Sequence, residues 1–376
     1  QEAPVPQVSE PAAAEAQEIV AETAPAGAEG EAQATDSQEA VAAPVESSEG
    51  EAVAAAEETE KEESKWMERP DPLFKEVIEG APKEAIVQDP AAFVPTVRPY
   101  ADKPYAEQID KGLAWMAANH TYQGCNWMDY FVLDFLRRKF ALDESFAAEK
   151  IINAESLDPT QTEEVKLHLR LIIEGYKIDD AQVVLEQVPL LAEYKTEEQP
   201  FLTAAILEKL GVSLQGALLR AMYCDQAPVT AEFVAEVLKQ IKETEFKGQP
   251  NSYGGYIVSH MILACQWLEE LGCAEGMQDL AEAKPGFADI LAAMAEDQGI
   301  TTDLGMEAVA LLYYIGAADK VKPEWIQAVA ETQLPDGAWE RQKGKGQPMG
   351  HSTAFGLWIL LENALPDAED IAWLRP

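Results

Sequence analysis

Two histidines and a few carboxylates are the residues of this 376-residue chain best suited to proton chemistry, and they recur at regular positions. Asp303 and Glu307 stand four residues apart, which puts both on one face of a helix. Tyr253, Tyr256, His260 and Trp267 follow one another at spacings of three, four and seven, again a single helical stripe. His351 and Ser352 stand just before a very apolar stretch, and Cys125, Asp129 and Tyr130 occupy a similar place upstream. A histidine with a carboxylate partner performs general acid–base chemistry, or binds a metal, when the groups converge. We take His260, His351, Asp303 and Tyr256 as candidate catalytic residues. Tyr253, Trp267, Glu307, Asp129 and Trp339 are candidate binding residues. Each has a plainer reading. A histidine on an apolar helix is commonly a hydrogen-bonded core residue, and Asp303 after Thr301-Thr302 suits a helix N-terminus through the dipole. Tyrosines and Trp267 serve in cores more often than as platforms. The sequence calls for no cofactor and no metal: no CxxC pair occurs.

The elements that must position these residues are helical. Apolar periodicity predicts helices near 106–118, 127–140, 144–153, 162–175, 180–194, 200–210, 213–223, 229–244, 253–271, 286–297, 303–316, 322–332 and 352–364. Breakers fall between them, at Asp158-Pro159, Gln199-Pro200, Ala227-Pro228, Gln249-Pro250, Lys284-Pro285 and Lys322-Pro323. No stretch alternates convincingly enough for a strand. Helix 229–244 keeps a polar face, whereas 127–140, 253–271, 303–316 and 352–361 are apolar nearly all round. Wet and dry helices in alternation suit a barrel with an inner and an outer ring. They equally suit an α-solenoid, and periodicity does not separate the two.

One motif separates them. Gln333-Leu334-Pro335-Asp336-Gly337-Ala338-Trp339, then His351-Ser352-Thr353-Ala354 opening the next helix, resembles the Q-x-x-D-G-x-W repeat of the squalene and terpenoid cyclase superfamily. Pro-Asp-Gly makes a tight turn, with Gly accepting a positive φ. A degraded copy stands at Asn119 to Trp127. The resemblance covers about thirty residues and implies an (α/α)6 toroid of twelve to thirteen helices, the fold of cyclases, prenyltransferase β-subunits, some polysaccharide lyases and thioester domains. The chemistry of those families is not carried over. Lys177-Ile178-Asp179-Asp180 lacks the first Asp of the cyclase D-x-D-D acid, and Gly124-Cys125-Asn126-Trp127-Met128 lacks the Gln of the thioester motif. His351 has no D-x-C partner for a prenyltransferase zinc site.

Composition bounds the rest. Up to Ser64 the chain holds 17 Asp and Glu against one Lys and no aromatic residue, a net of −16, so residues 1–64 read as a disordered acidic tail. Residues 65–105 are Pro-rich and read as an extended lead-in to a domain over 106–376. A net charge of −39 excludes nucleic acid and anionic membrane surfaces as partners. No run of roughly eighteen apolar residues is present to span a bilayer. A first residue that is Gln suggests a mature chain whose leader has been removed, hence secretion or a periplasm. Four cysteines make no disulfide framework in a chain this long, and Cys265 and Cys273, about 12 Å apart along one helix, do not bridge.

The expectation is therefore an exported toroid acting as a binding or scaffold module, with a central cavity for an apolar or carbohydrate ligand or a protein partner. Two other readings stay open. One is an enzyme, a lyase or hydrolase on a polysaccharide or an isoprenoid-modifying one, using His260, His351, Tyr256 and Asp303. The other is a subunit of a larger envelope assembly.

Overall fold

The computed structural model describes residues 95–119, 127–148 and 159–375. The acidic tail, the lead-in before residue 95, Cys125 and most of the Asn119–Trp127 element lie outside the described residues. What is described is mostly helical. We label the main helices α1 (Ala106–Ala118), α2 (Trp127–Phe140), α3 (Pro159–His168), α4 (Leu214–Met222) and α5 (Ala231–Glu243). There follow α6 (Tyr253–Leu271), α7 (Met277–Gln298), α8 (Asp303–Tyr314), α9 (Pro323–Glu331) and α10 (Gly350–Ala364).

Three buried helices open in the same way. Ser213, Ser252 and Thr302 cap α4, α6 and α8, each hydroxyl accepting at 3.1 Å from the amide of a glycine three residues on: Gly216, Gly255 and Gly305. The glycine answers to close packing. A Cβ on Gly305 would collide with the carbonyl of Gly299, and one on Gly216 with that of Gly211, because the incoming loop crosses directly over the first turn.

Packing sorts the helices into two kinds. α6 lies against α4 and α8, α8 against α10, and α10 against α2 and α1. In α8, every residue from Asp303 to Leu312 is buried. In α5, which packs on α6 and α7, only Val234, Val237, Leu238 and Ile241 are buried, as expected of a helix with one wet face. The expected alternation of wet and dry helices is present.

The Gln333–Trp339 element fixes α9 to α1 and α10. Gln333 Nε2 donates to the carbonyls of Gln108 (2.8 Å) and Gly337 (2.9 Å), 225 residues of sequence separating it from the first. Gly337 has φ 101° and presses on the Lys111 carbonyl, so a side chain is excluded there on both counts. Trp339 Nε1 donates to Val329 O at 2.8 Å, and its ring lies over Gly112 and Gly356.

Several expectations are corrected. The helices predicted over 180–194 and 200–210 reduce to single turns, Ile178–Ala181 and Ala204–Leu207, with 3-10 turns at Leu185–Gln187 and Ala192–Tyr194. Pro189 and Pro200 lack the amide a helix needs, and the chain pairs locally instead, Leu185 N to Pro200 O (3.1 Å) and Leu202 N to Val183 O (2.9 Å). The helix predicted over 144–153 opens with a 3-10 turn, Glu144–Phe146, and is helical at Ala148, with 149–153 outside the described residues; that over 162–175 is α-helical to His168 and continues as a 3-10 turn, Leu169–Leu171. Conversely α7 runs through Pro285, forfeiting a ladder bond where a break was predicted. A two-residue antiparallel pair, β1 (Trp339–Glu340) and β2 (Pro348–Met349), occurs where no strand was expected. Cys224 and Cys273 form a disulfide, with Cα atoms 5.6 Å apart, so the cysteines do include a covalent link; Cys265 is a buried free thiol.

The far ends of α2, α6, α8 and α10 are occupied by the chain itself. Trp373 lies among Phe135, Trp358, Tyr314 and Trp267, at ring separations of 5.1, 5.6, 5.8 and 5.9 Å. Arg138 donates to the carbonyls of Ala372 (3.2 Å) and Trp373 (2.9 Å), and the Glu270 carboxylate receives Tyr314 Oη and the amide of Trp373.

Candidate functional site

The opposite ends of the same helices carry the polar residues. Asp303 opens α8, Tyr256 lies in the first turn of α6, His351 in that of α10 and Asp129 in that of α2. The start of α8 is held from outside by Asn251, whose Oδ1 accepts from Leu304 N (3.0 Å) and whose Nδ2 donates to Arg341 O (3.1 Å). Asp303 N donates to the same carbonyl at 3.0 Å. Asn251 is left-handed, φ 57°, a conformation Asn tolerates better than most residues. Sequence reading missed Asn251; its place directly after Pro250 was the available signal.

Asp303 is 1% exposed and is the hub. Its Oδ2 accepts from Tyr256 Oη at 2.7 Å, its Oδ1 from Ser352 Oγ at 2.5 Å, and His351 Nδ1 lies 3.0 Å from both oxygens. Burial by itself would raise this carboxyl. The positive His351 and the three hydrogen bonds outweigh it and hold Asp303 down at about 2. The α8 dipole acts in the same sense. For His351, burial favours the neutral ring, but the charge and hydrogen bond of Asp303 prevail, with Glu307 and Asp129 adding to them, and the imidazole is pushed up to about 10. Burial, then the charges of Asp303 and Glu307, raise Tyr256 so that its phenol stays a donor.

His351 is thus an imidazolium at neutral pH. Its Nδ1–H goes to Asp303, its ring meets the edge of Phe355 at 4.6 Å, and its Nε2–H has no partner among the described residues. The His351 side chain is 20% exposed. His260 stands beside the cluster, its Nδ1 2.9 Å from Tyr256 O, 3.2 Å from Ser259 Oγ and 3.4 Å from Glu307 Oε1. Glu307 is buried one turn into α8, and its Oε2 meets no donor among the described residues.

The structure therefore joins Tyr256, Asp303 and His351, together with Ser352, in one hydrogen-bonded group. His260 and Glu307 adjoin it, and Asp129, fully buried, acts on His351 through its charge. Three candidates are not part of it. Tyr253 is 66% exposed at the start of α6. Trp267 packs on Trp373, far along the same helix, so the stripe from Tyr253 to Trp267 runs from solvent into core. Trp339 belongs to the packing of α9 on α1 and α10. Among the described residues no three His, Cys, Asp or Glu side chains are grouped to hold a metal ion. The D-x-D-D near-match lies elsewhere, Asp179 Oδ1 accepting from Ala204 N at 3.2 Å.

Such a group can offer a proton from His351 Nε2, orient a hydroxyl, or hold a ligand by charge. As a cation, His351 is an acid or a donor and not a resting base. No family model, curated protein or solved structure matches the chain.

Proposed function

We propose that this is an exported α/α toroid that binds a small ligand at the end of its inner helices where Asp303 and His351 meet. The convergence of Tyr256, Asp303, His351 and Ser352 from three different helices carries the reading. A residue group buried merely for packing has no need of a charged pair with a free, reachable donor. The toroid is supported by the packing order α4, α6, α8, α10, α2, with α5, α7 and α9 packed alongside, and by Gln333 reaching back to Gln108. Export is supported by the Cys224–Cys273 disulfide, since such bonds persist in oxidising compartments. The aromatic residues of the inner helices do not form the pocket; Trp373 fills the space between them.

The test is a thermal-shift screen of the full chain against neutral, cationic and anionic small molecules, repeated on D303N and Y256F. Ligands whose stabilisation is lost in both variants support the site. Hits that stabilise the variants equally put binding elsewhere and refute it.

A second reading, a hydrolase using His351 as general acid, is favoured by the hydrogen bond to Asp303 and the free Nε2. It requires turnover of a glycoside or ester that H351Q reduces at least about a hundredfold.

A further inference from the structure

The two carboxylates of α8 face opposite circumstances. Asp303 is met by Tyr256, His351 and Ser352. Glu307, one turn on and 3% exposed, is met by almost nothing. Among the described residues its Oε1 meets His260 Nδ1 at 3.4 Å, a nitrogen already 2.9 Å from the Tyr256 carbonyl, and its Oε2 meets no donor. A carboxylate oxygen buried without a donor is costly, and the cost is relieved when a ligand brings one. Asp129, with no exposed surface, adds a third buried carboxylate near His351.

Resting on the ligand site proposed above, we propose that the group recognised there is a protonated amine on a hydroxyl-bearing ligand, of which an amino sugar is the simplest kind. Its ammonium donates to Glu307 Oε2, and its hydroxyls pair with Nε2 of His351 and of His260, whose side chains are partly exposed. The alternatives fit less well. An anion could pair with the His351 imidazolium but would bring no donor to Glu307 Oε2 and would lie beside its carboxylate. A metal ion needs several ligands in a short, defined shell, and no three suitable side chains are so grouped among the described residues. A neutral sugar supplies a hydroxyl donor to Oε2, and an ammonium supplies a charge-assisted and stronger one. The chain's net charge of −39 also raises the concentration of cations around it.

The experiment is titration calorimetry of the full chain with glucosamine, N-acetylglucosamine, glucose and methylammonium. Glucosamine should bind at least about tenfold more tightly than glucose or N-acetylglucosamine, in which the amine is absent or blocked. E307Q should abolish that preference, and should unfold at or above the wild-type temperature, because a buried carboxylate oxygen short of donors has been removed. Equal affinities for glucosamine and N-acetylglucosamine, or a preference that survives in E307Q, overturn the amine assignment. Sugars that bind alike and are all lost in D303N leave the site standing while the amine falls. No binding of any of the four probes overturns the amine assignment, while the ligand site itself stands or falls on the thermal-shift screen.

Discussion

The two ends of α2, α6, α8 and α10 bury charge in opposite ways. At the end where they finish, three carboxylates among the described residues are each met by two or more protein donors. Asp134 receives Arg137, Arg138, Arg375 and the amide of Ala148; Glu362 receives Lys139 and the indole of Trp358; Glu270 receives Tyr314 and two backbone amides. Trp373 closes the space between the rings. At the end where they begin, Asp303 is met by three donors, but among the described residues Glu307 Oε2 meets none, and the His351 and His260 side chains are partly exposed. Saturation marks the first end as structural. Groups left open at the second mark it as the place where another molecule completes the chemistry.

That contrast breaks most visibly at the aromatic end. Trp373→Ala should cost about 3–5 kcal/mol, because its four ring neighbours do not collapse into the space. At roughly 2–4 °C per kcal/mol the midpoint falls by on the order of 10 °C. Calorimetric unfolding reads it, and ligand affinity at the polar end should not move; an affinity that falls in step would mean the ends are not separate. Next comes the disulfide, whose cysteines directly follow α4 and the C-terminal Gly272 cap of α6. C224S/C273S should lose about 3–4 kcal/mol for a loop of 49 residues. An unchanged unfolding midpoint under reductant would contradict a formed bond.

The Asp303–His351 pair makes a subtler, pH-dependent contribution. The folded pKa of His351 is raised to about 10, so its stabilisation is complete below the unfolded value of about 6.5 and is lost as pH rises through 10. Asp303 is depressed to about 2, so its share is complete above the unfolded value of about 3.9 and is lost as pH falls through 2. The difference in unfolding free energy between wild type and H351Q should therefore shrink between pH 7 and 10. A difference that stays flat over that window would show that His351 is neutral in the fold. The smallest effect is expected from Ser352→Ala, about 1–2 kcal/mol for one hydrogen bond to a charged acceptor that keeps two other donors. It is read as a modest drop in midpoint and a small rise in the pKa of Asp303.

Much of this was legible in the chain. The helices of the C-terminal half came from strong periodicity with clear caps, α6 matching its predicted span from Tyr253 to Leu271. The polar residues at the helix starts were legible as a set: Tyr256 and Asp303 stand in first turns capped by Ser252 and Thr302, and His351 opens an apolar helix whose N-cap, Met349, makes no side-chain cap. What failed did so for identifiable reasons. Between residues 178 and 210, apolar content is high but prolines and tertiary pairing, Val184 with Phe201, override local propensity. Trp267 was read as a platform because burial against a partner distant in sequence, Trp373, leaves no periodic trace.

By itself the sequence determined the helical class, the turn chemistry at Gln333–Trp339, the caps and the order in which wet and dry helices alternate. These are local, set by period, propensity and backbone conformation within a few residues. Only the tertiary structure decided that Asp303 collects three donors while Glu307 is left with an open oxygen. It also decided that Cys224 finds Cys273 and that Trp373 occupies the space a cavity would have taken. Each depends on which atoms from distant segments come within about 3 Å, a distance that packing sets and linear spacing does not encode.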